Sequence, residues 1–175
     1  EIAKEAKHLT VFQRTANYSV PAHNGPLSAD FKREIKENFA DIKAMMHATP
    51  GGHPFPFSPH NAYDLPPEER QKTLETAWAK GGLRFRSAFR DMVLDKRAND
   101  LASNFLKQKI RDIVKDPAKA HLLADIDHPY GGKRPPIDTG YFEAYNRDNI
   151  DLVDVRADPI AEITPTGIRL KSGRH

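Results

Sequence analysis

Proline placement limits what this chain can fold into. It carries fourteen prolines in 175 residues. Pro21, Pro26, Pro50, Pro54, Pro56, Pro59, Pro66, Pro67, Pro129, Pro135 and Pro136 stand between the periodic segments. A proline inside a helix removes an amide donor and clashes with the preceding turn, so helices stop short of it. The chain is therefore expected to form short helices joined by extended, ordered loops, not one regular bundle.

Between the prolines the apolar periodicity assigns elements. Glu1 to Lys7 reads as helix with Ile2, Ala3 and Ala6 on one side, and Leu9 to Gln13 as a short strand. Helix then strand is the second half of a βαβ unit. Ser28 can cap a helix whose apolar face is Phe31, Ile35, Phe39, Ile42 and Met46, spaced as one amphipathic helix requires. Pro66-Pro67 opens a further helix with Leu74, Ala77 and Trp78 inward, broken at Gly81-Gly82. Another helix is expected over Leu83 to Leu94, burying Phe85, Phe89 and Met92 or Val93. The next starts near Asp95 to Ala98 and buries Ala98, Leu101, Ala102, Phe105, Ile110, Ile113 and Val114 before Asp116-Pro117. A short helix around Ala118 to Leu123 follows, and Asp138 to Tyr145 reads as turn and short helix. Strands are expected over Ile150 to Val155, Ile160 to Thr164 and Gly167 to Leu170. The fold class is thus α/β but rich in helix, a helical insertion within an α/β domain.

Both ends look like interior points of a longer chain. No capping residue precedes the first helix. The last strand reads as the first arm of a hairpin that lacks its return, a poor place for a domain to stop.

Composition closes off several function classes. No cysteine is present, which excludes disulfides, thiol nucleophiles and cysteine-bound metals, and fits a cytoplasmic setting. Apolar residues are 38% and charged residues 29%, enough for a core and a solvated surface. No apolar run approaches the roughly 18 residues of a membrane span. The net charge of +3 comes from Lys and Arg interleaved with Asp and Glu, so no nucleic-acid partner is expected. Eight histidines occur, but none pairs at i,i+4 and no HExxH is present, so no metal site is expected. No serine lies in a GxSxG context, which leaves a hydrolase unsupported. Asp125 and Asp127 could form a carboxylate pair for acid–base work, though loop caps and solvated charges are the commoner use of such residues.

Two features point to anion binding. Arg14 ends the first strand, where a dinucleotide-binding βαβ unit meets the adenosine ribose. An arginine there accepts the 2′-phosphate of NADP as a bidentate cation, and Thr15 adds a hydroxyl donor. A surface arginine ending a strand is the plainer alternative. Gly131-Gly132-Lys133-Arg134-Pro135-Pro136 holds adjacent cations between residues that permit close backbone approach and residues that stiffen the exit. It suits a phosphate or a charge formed in reaction, and a solvated basic turn stays open beside it.

Three segments together resemble one family. Thr10-Val-Phe-Gln-Arg-Thr-Ala-Asn-Tyr-Ser-Val-Pro-Ala22 is similar to the VFQRTPN-VPA segment of Baeyer–Villiger monooxygenases. Gly132-Lys-Arg-Pro135 with Asp138-Thr-Gly-Tyr-Phe-Glu-Ala-Tyr-Asn-Arg-Asp-Asn149 resembles their GxKRxxxDxxYYExxNRDN segment. Ile150-Asp-Leu-Val-Asp-Val155, Pro159-Ile-Ala-Glu-Ile-Thr164 and Gly167-Ile168 match its continuation. The likeness covers essentially the whole chain and looks closest to cyclohexanone and steroid monooxygenase-like members. It implies part of a Rossmann-like NADP-binding domain with a helical insertion, followed by short β-strands. The implied divisions are 1–26, the end of a βαβ unit; 27–124, the insertion; 125–149, the return to the NADP domain; and 150–175, strands leading toward an FAD domain.

The resemblance also implies FAD and NADP as cofactors, O2 as co-substrate and a ketone oxidised to an ester or lactone through a flavin C4a-peroxide. It implies that Gln13, Arg14, Thr15 and Lys133 bind the cofactor and that Arg134, beside the flavin, is catalytic. The family's glycine-rich fingerprints are absent from this sequence, so the chain alone is expected to be inactive and to bind nucleotide weakly. A related flavin monooxygenase acting on N or S atoms, or a non-catalytic helical interaction module, are the alternatives. The sequence carries no signal for an oligomeric state.

Overall fold

The computed structural model describes residues 1–49 and 51–175; Pro50, expected in a connection, lies outside the described residues. The chain divides into two compact units, the first comprising residues 1–18, 106–128 and 140–175, the second residues 19–105 and 129–139.

In the first unit, α1 (Ile2–Glu5) leads into β1 (Leu9–Gln13). β1 runs parallel to β4 (Ile150–Asp154), with Leu9 opposite Ile150 and Gln13 opposite Asp154. Parallel pairing at such sequence separation is the signature of a crossover unit, as the helix-then-strand order anticipates. One turn of helix cannot satisfy its own last carbonyls. The Asn149 amide does so, donating to Ala3 O at 3.1 Å and Ala6 O at 2.9 Å. α6 (Pro117–Ala124) starts with Asp116 accepting from the amides of Ala118 and Lys119, so Asp116-Pro117 opens this helix as well as closing the one before it. α7 (Tyr141–Ala144) is the short helix expected after Asp138.

The last strand corrects an expectation. β6 (Gly167–Leu170) is not the first arm of an unfinished hairpin; it returns antiparallel along β5 (Ile160–Thr164), Ile163 facing Ile168. Thr164-Pro165-Thr166-Gly167 supplies the turn, so the pairing partner lies upstream.

In the second unit, α4 (Pro67–Lys80) begins with proline at its first position and buries Leu74 and Ala77. It ends at Gly81, whose φ is +65°. A Cβ there would sit 2.3 Å from Pro21 O, so this turn admits only glycine. β2 (Val20–Pro21) and β3 (Ile137–Asp138) pair in parallel. In this unit buried Phe85 stacks on Phe105 with ring centroids 5.8 Å apart and meets the Tyr130 ring edge-on at 5.5 Å.

Two helical expectations fail here. The stretch from Phe31 to Met46 is not one helix but α2 (Ala29–Glu37) and α3 (Phe39–Ala48), separated at Asn38. Ser28 does cap α2, accepting from Phe31 N at 3.1 Å. Asn38 then returns its side-chain amide to Glu34 O at 2.9 Å, a competing local bond that ends the helix. Neither helix buries a residue, and Phe31, Phe39 and Met46 stand exposed. Leu83 to Leu94 is likewise not an α-helix: a 3-10 helix covers Gly82–Ser87 and turns follow. Phe85, Phe89 and Met92 are buried as expected, whereas Val93 is exposed.

α5 (Lys96–Ile113) has residues in both units. Asp95 caps it, accepting from Arg97 N at 2.8 Å and Ala98 N at 3.1 Å. Ala98, Ala102, Phe105, Ile110 and Val114 are buried, and so is Leu106. No helix of the described residues is long and apolar enough to cross a membrane.

Candidate functional site

The residues predicted for the site fall into two groups. Gln13, Arg14 and Thr15 close β1 in the first unit, and Lys133 and Arg134 lie in the second.

β1 delivers Arg14 to the surface because the chain turns immediately after it. Gln13 is the last strand residue, and its Nε2 donates to Leu122 O at 3.0 Å. Arg14 is exposed and Thr15 half-buried at the bend that follows. Ala16 and Tyr18 then descend into the core. Among the described residues no carboxylate pairs with Arg14, so its guanidinium is available to an outside anion.

The bend is held from below. Tyr18 Oη donates to His128 O at 3.0 Å, and its ring meets the His128 imidazole edge-on at 5.5 Å. The two imidazole nitrogens of His128 lie 3.0 Å from Asn17 Oδ1 and 3.1 Å from Asp127 Oδ1. Asp125 pairs with Arg156 at 2.8 Å. Asp125 and Asp127 are thus tied to separate cationic or imidazole partners instead of to each other. Sequence reasoning missed Asn17, Tyr18 and His128, whose role depends on partners more than a hundred residues away.

The Lys133-Arg134 loop is clamped at both ends. On the entry side Tyr130 is buried, and the Asn99 side chain on α5 grips its backbone. Asn99 Nδ2 donates to Tyr130 O at 2.9 Å and to Met92 O at 3.0 Å, while Tyr130 N donates to Asn99 Oδ1 at 3.0 Å. Ser103 Oγ lies 3.2 Å from both Asn99 Oδ1 and Tyr130 N. Burial pushes the Tyr130 phenol up to about 12. Gly131 then turns with φ +83°, and Gly132 N donates to Pro129 O at 2.9 Å.

On the exit side, buried Ser19 places its hydroxyl 2.5 Å from Asp138 Oδ2 and 3.1 Å from Pro136 O. The β2 backbone adds Val20 N to Pro136 O at 3.2 Å and Ala22 N to Asp138 O at 2.7 Å. Lys133 and Arg134 are both exposed between these anchors. Consecutive cations on a short loop, fixed by buried amide and hydroxyl bonds, are presented without the entropy loss a free loop would suffer on binding. Among the described residues no group of three or more His, Asp or Glu could hold a metal ion.

No family model matches the chain. Over 171 residues it is 45% identical to a Baeyer–Villiger monooxygenase of Pseudooceanicola batsensis, covering 96% of this chain and 31% of that protein. Over 174 residues it is 43% identical to the cyclohexanone 1,2-monooxygenase of an Acinetobacter species, covering 98% of this chain and 32% of the relative. A solved structure of oxidised steroid monooxygenase bound to NADP superposes with a TM-score of 0.95 at 45% identity, over 99% of this chain and 33% of that one. The chain belongs to the Baeyer–Villiger monooxygenase family. It spans about a third of the length of the curated relatives it matches. The mixed α/β fold is the one these Baeyer–Villiger enzymes share over this stretch.

Proposed function

We propose that the protein to which this chain contributes is an FAD- and NADPH-dependent Baeyer–Villiger monooxygenase that uses O2 to convert a ketone into an ester or lactone. The observation that carries this reading is the Lys133-Arg134 pair on a loop clamped by Asn99 on one side and Ser19 on the other.

In this reading Gln13, Arg14, Thr15 and Lys133 form the cofactor-binding set. The donor chemistry fits a ribose phosphate. Arg14 is a charged fork at the end of a parallel strand, with no carboxylate neutralising it among the described residues and a hydroxyl beside it. Lys133 adds a compact cation. When bound, the flavin supplies the oxygen-activating chemistry and NADPH the reducing equivalents. Arg134 is the catalytic residue: its guanidinium stays charged at any working pH, whereas a lysine could lose its proton in a dry pocket. It stabilises negative charge developing on oxygen, and a preset loop does so with little rearrangement. A cytoplasmic setting, where NADPH is regenerated, fits the same reading.

The test is Arg134→Ala in the full-length enzyme. Ester formation should fall by about a hundredfold or more while NADPH oxidation continues. Undiminished ester formation would overturn the assignment. A structure of that enzyme with NADP bound should find Arg14 and Lys133 on the 2′-phosphate; a distant phosphate would remove them from the set.

A further inference from the structure

Apart from the loop just described, the second unit carries a groove of about 750 Å3 between α4, the 3-10 helix Gly82–Ser87 and the proline-rich segment 54–59. That volume lies within the range of roughly 300–1,000 Å3 usual for small-molecule sites. Phe55 and Phe57 line it and are only half-buried. Proline restricts the backbone on either side of Phe55. Phe55 stands between Pro54 and Pro56, Pro56 also precedes Phe57, and His53 stacks on Phe55 at 5.1 Å with the planes 10° apart. The Arg84 guanidinium lies 5.6 Å from the Phe55 centroid.

The charges around these rings are of one sign. Lys72 and Lys80 reach the groove from α4, about 12 Å apart along the helix at 1.5 Å per residue, and Arg84 joins them. No Asp or Glu is among the lining residues. Over the whole chain 27 basic residues are interspersed with 24 acidic ones, so three cations lining one groove with two phenyl rings and no acidic residue is a local departure. Among the described residues none of the three is in an ion pair; compare Lys96 and Arg33, which take Asp100 and Asp30. Solvated lysines alone would need no phenyl floor, and a purely apolar groove would need no cations.

We propose that this groove binds a small aromatic anion. The ring lies against Phe55 and Phe57, and a carboxylate or phosphate is held by Arg84 with Lys72 or Lys80. Offset stacking and charge-assisted hydrogen bonds are additive here because they act on opposite ends of the ligand. The proposal is independent of the oxygenation reading, since none of these residues belongs to the set assigned to cofactor or catalysis.

The test uses the full-length holoenzyme with saturating NADP+, so that the nucleotide site is filled. Naphthalene-2-carboxylate, 2-naphthyl phosphate and neutral 2-naphthylmethanol are titrated by calorimetry. The anions should bind at least ~10-fold more tightly than the alcohol, and raising salt from 20 to 200 mM should weaken only the anions. The preferred anion separates carboxylate from phosphate recognition. Arg84→Gln and the double variant Lys72→Gln/Lys80→Gln should each lose ~5-fold or more, and Phe55→Ala should weaken all three probes. Equal binding of the alcohol, unchanged affinity in the exposed-cation variants, or no binding of either anion up to 5 mM would overturn the proposal. The salt series on the unmodified enzyme decides the matter even if a variant folds poorly.

Discussion

Asn99 acts on Tyr130 as a neighbouring strand would, accepting from its backbone N–H at 3.0 Å and donating to its carbonyl at 2.9 Å. A buried side-chain amide thereby supplies both halves of a ladder rung where no strand exists. The consequence reaches three and four residues further, because the glycine turn carries this fixed point to Lys133 and Arg134.

Asn99→Ala should therefore be costly. It strands the buried Tyr130 and Met92 carbonyls and leaves the Tyr130 N–H with only Ser103 Oγ at 3.2 Å. A loss of about 2–4 kcal/mol is expected in urea unfolding, since each buried polar group left unpaired costs about 1–3 kcal/mol. Asn99→Asp keeps the acceptor but loses both donor bonds, so it should not restore stability.

Arg14→Ala in the full-length enzyme should raise the KM for NADPH by about tenfold or more, since a charge-assisted contact contributes ~1.5–3 kcal/mol. The kinetics with NADH, which lacks the 2′-phosphate, should change little. Parallel losses with both nucleotides would show that Arg14 serves the fold and not the phosphate.

The glycines that end α4 should respond unequally to alanine. At Gly81 the new Cβ would meet Pro21 O at 2.3 Å in a backbone with φ +65°. At Gly82 the φ is +60° but nothing lies within 4 Å. Gly82→Ala should cost about 1 kcal/mol of conformational strain and Gly81→Ala about 2–4 kcal/mol, because backbone must move as well. Comparing thermal midpoints of the two variants checks this.

Tyr130 gives the fold a defined alkaline limit. Its folded-state pKa of about 12 lies above the ordinary value of 10.0 because burial disfavours the phenolate. Between these values the unfolded chain has released a proton that the folded one retains, so stability falls as pH rises. The loss should reach on the order of 2–3 kcal/mol by pH 12, at about 1.4 kcal/mol per unit. Tyr145, raised by burial and by its bond to Tyr141, adds to the same slope. Tyr130→Phe should flatten the decline in urea-derived stability between pH 10 and pH 12; an unchanged slope would assign it elsewhere.

The exposed face of α2 and α3 shows where local pattern misleads. Phe31, Ile35, Phe39, Ile42 and Met46 have the spacing of a core-facing helix, yet only Ile42 is even half-buried. Periodicity reports that a face is apolar; what covers it is settled by contacts distant in sequence. The 3-10 segment behaves in the opposite way. Phe85, Phe89 and Met92 are buried as their spacing implies, although the backbone that carries them is not α-helical.

What this sequence determined alone was the punctuation. Ser28, Asp95 and Pro67 start helices and Gly81 stops one, because caps, fixed φ angles and left-handed turns are decided within a few residues. The family-like segments around Arg14 and Lys133-Arg134 were legible for the same reason, each being short and contiguous. Only the tertiary structure decided that Asn99 holds Tyr130, that Ser19 holds Asp138, that His128 braces the turn after Arg14 and that β6 returns along β5. Those bonds join residues that the sequence keeps apart, and a polar side chain's partner is set by which groups burial leaves in need of one.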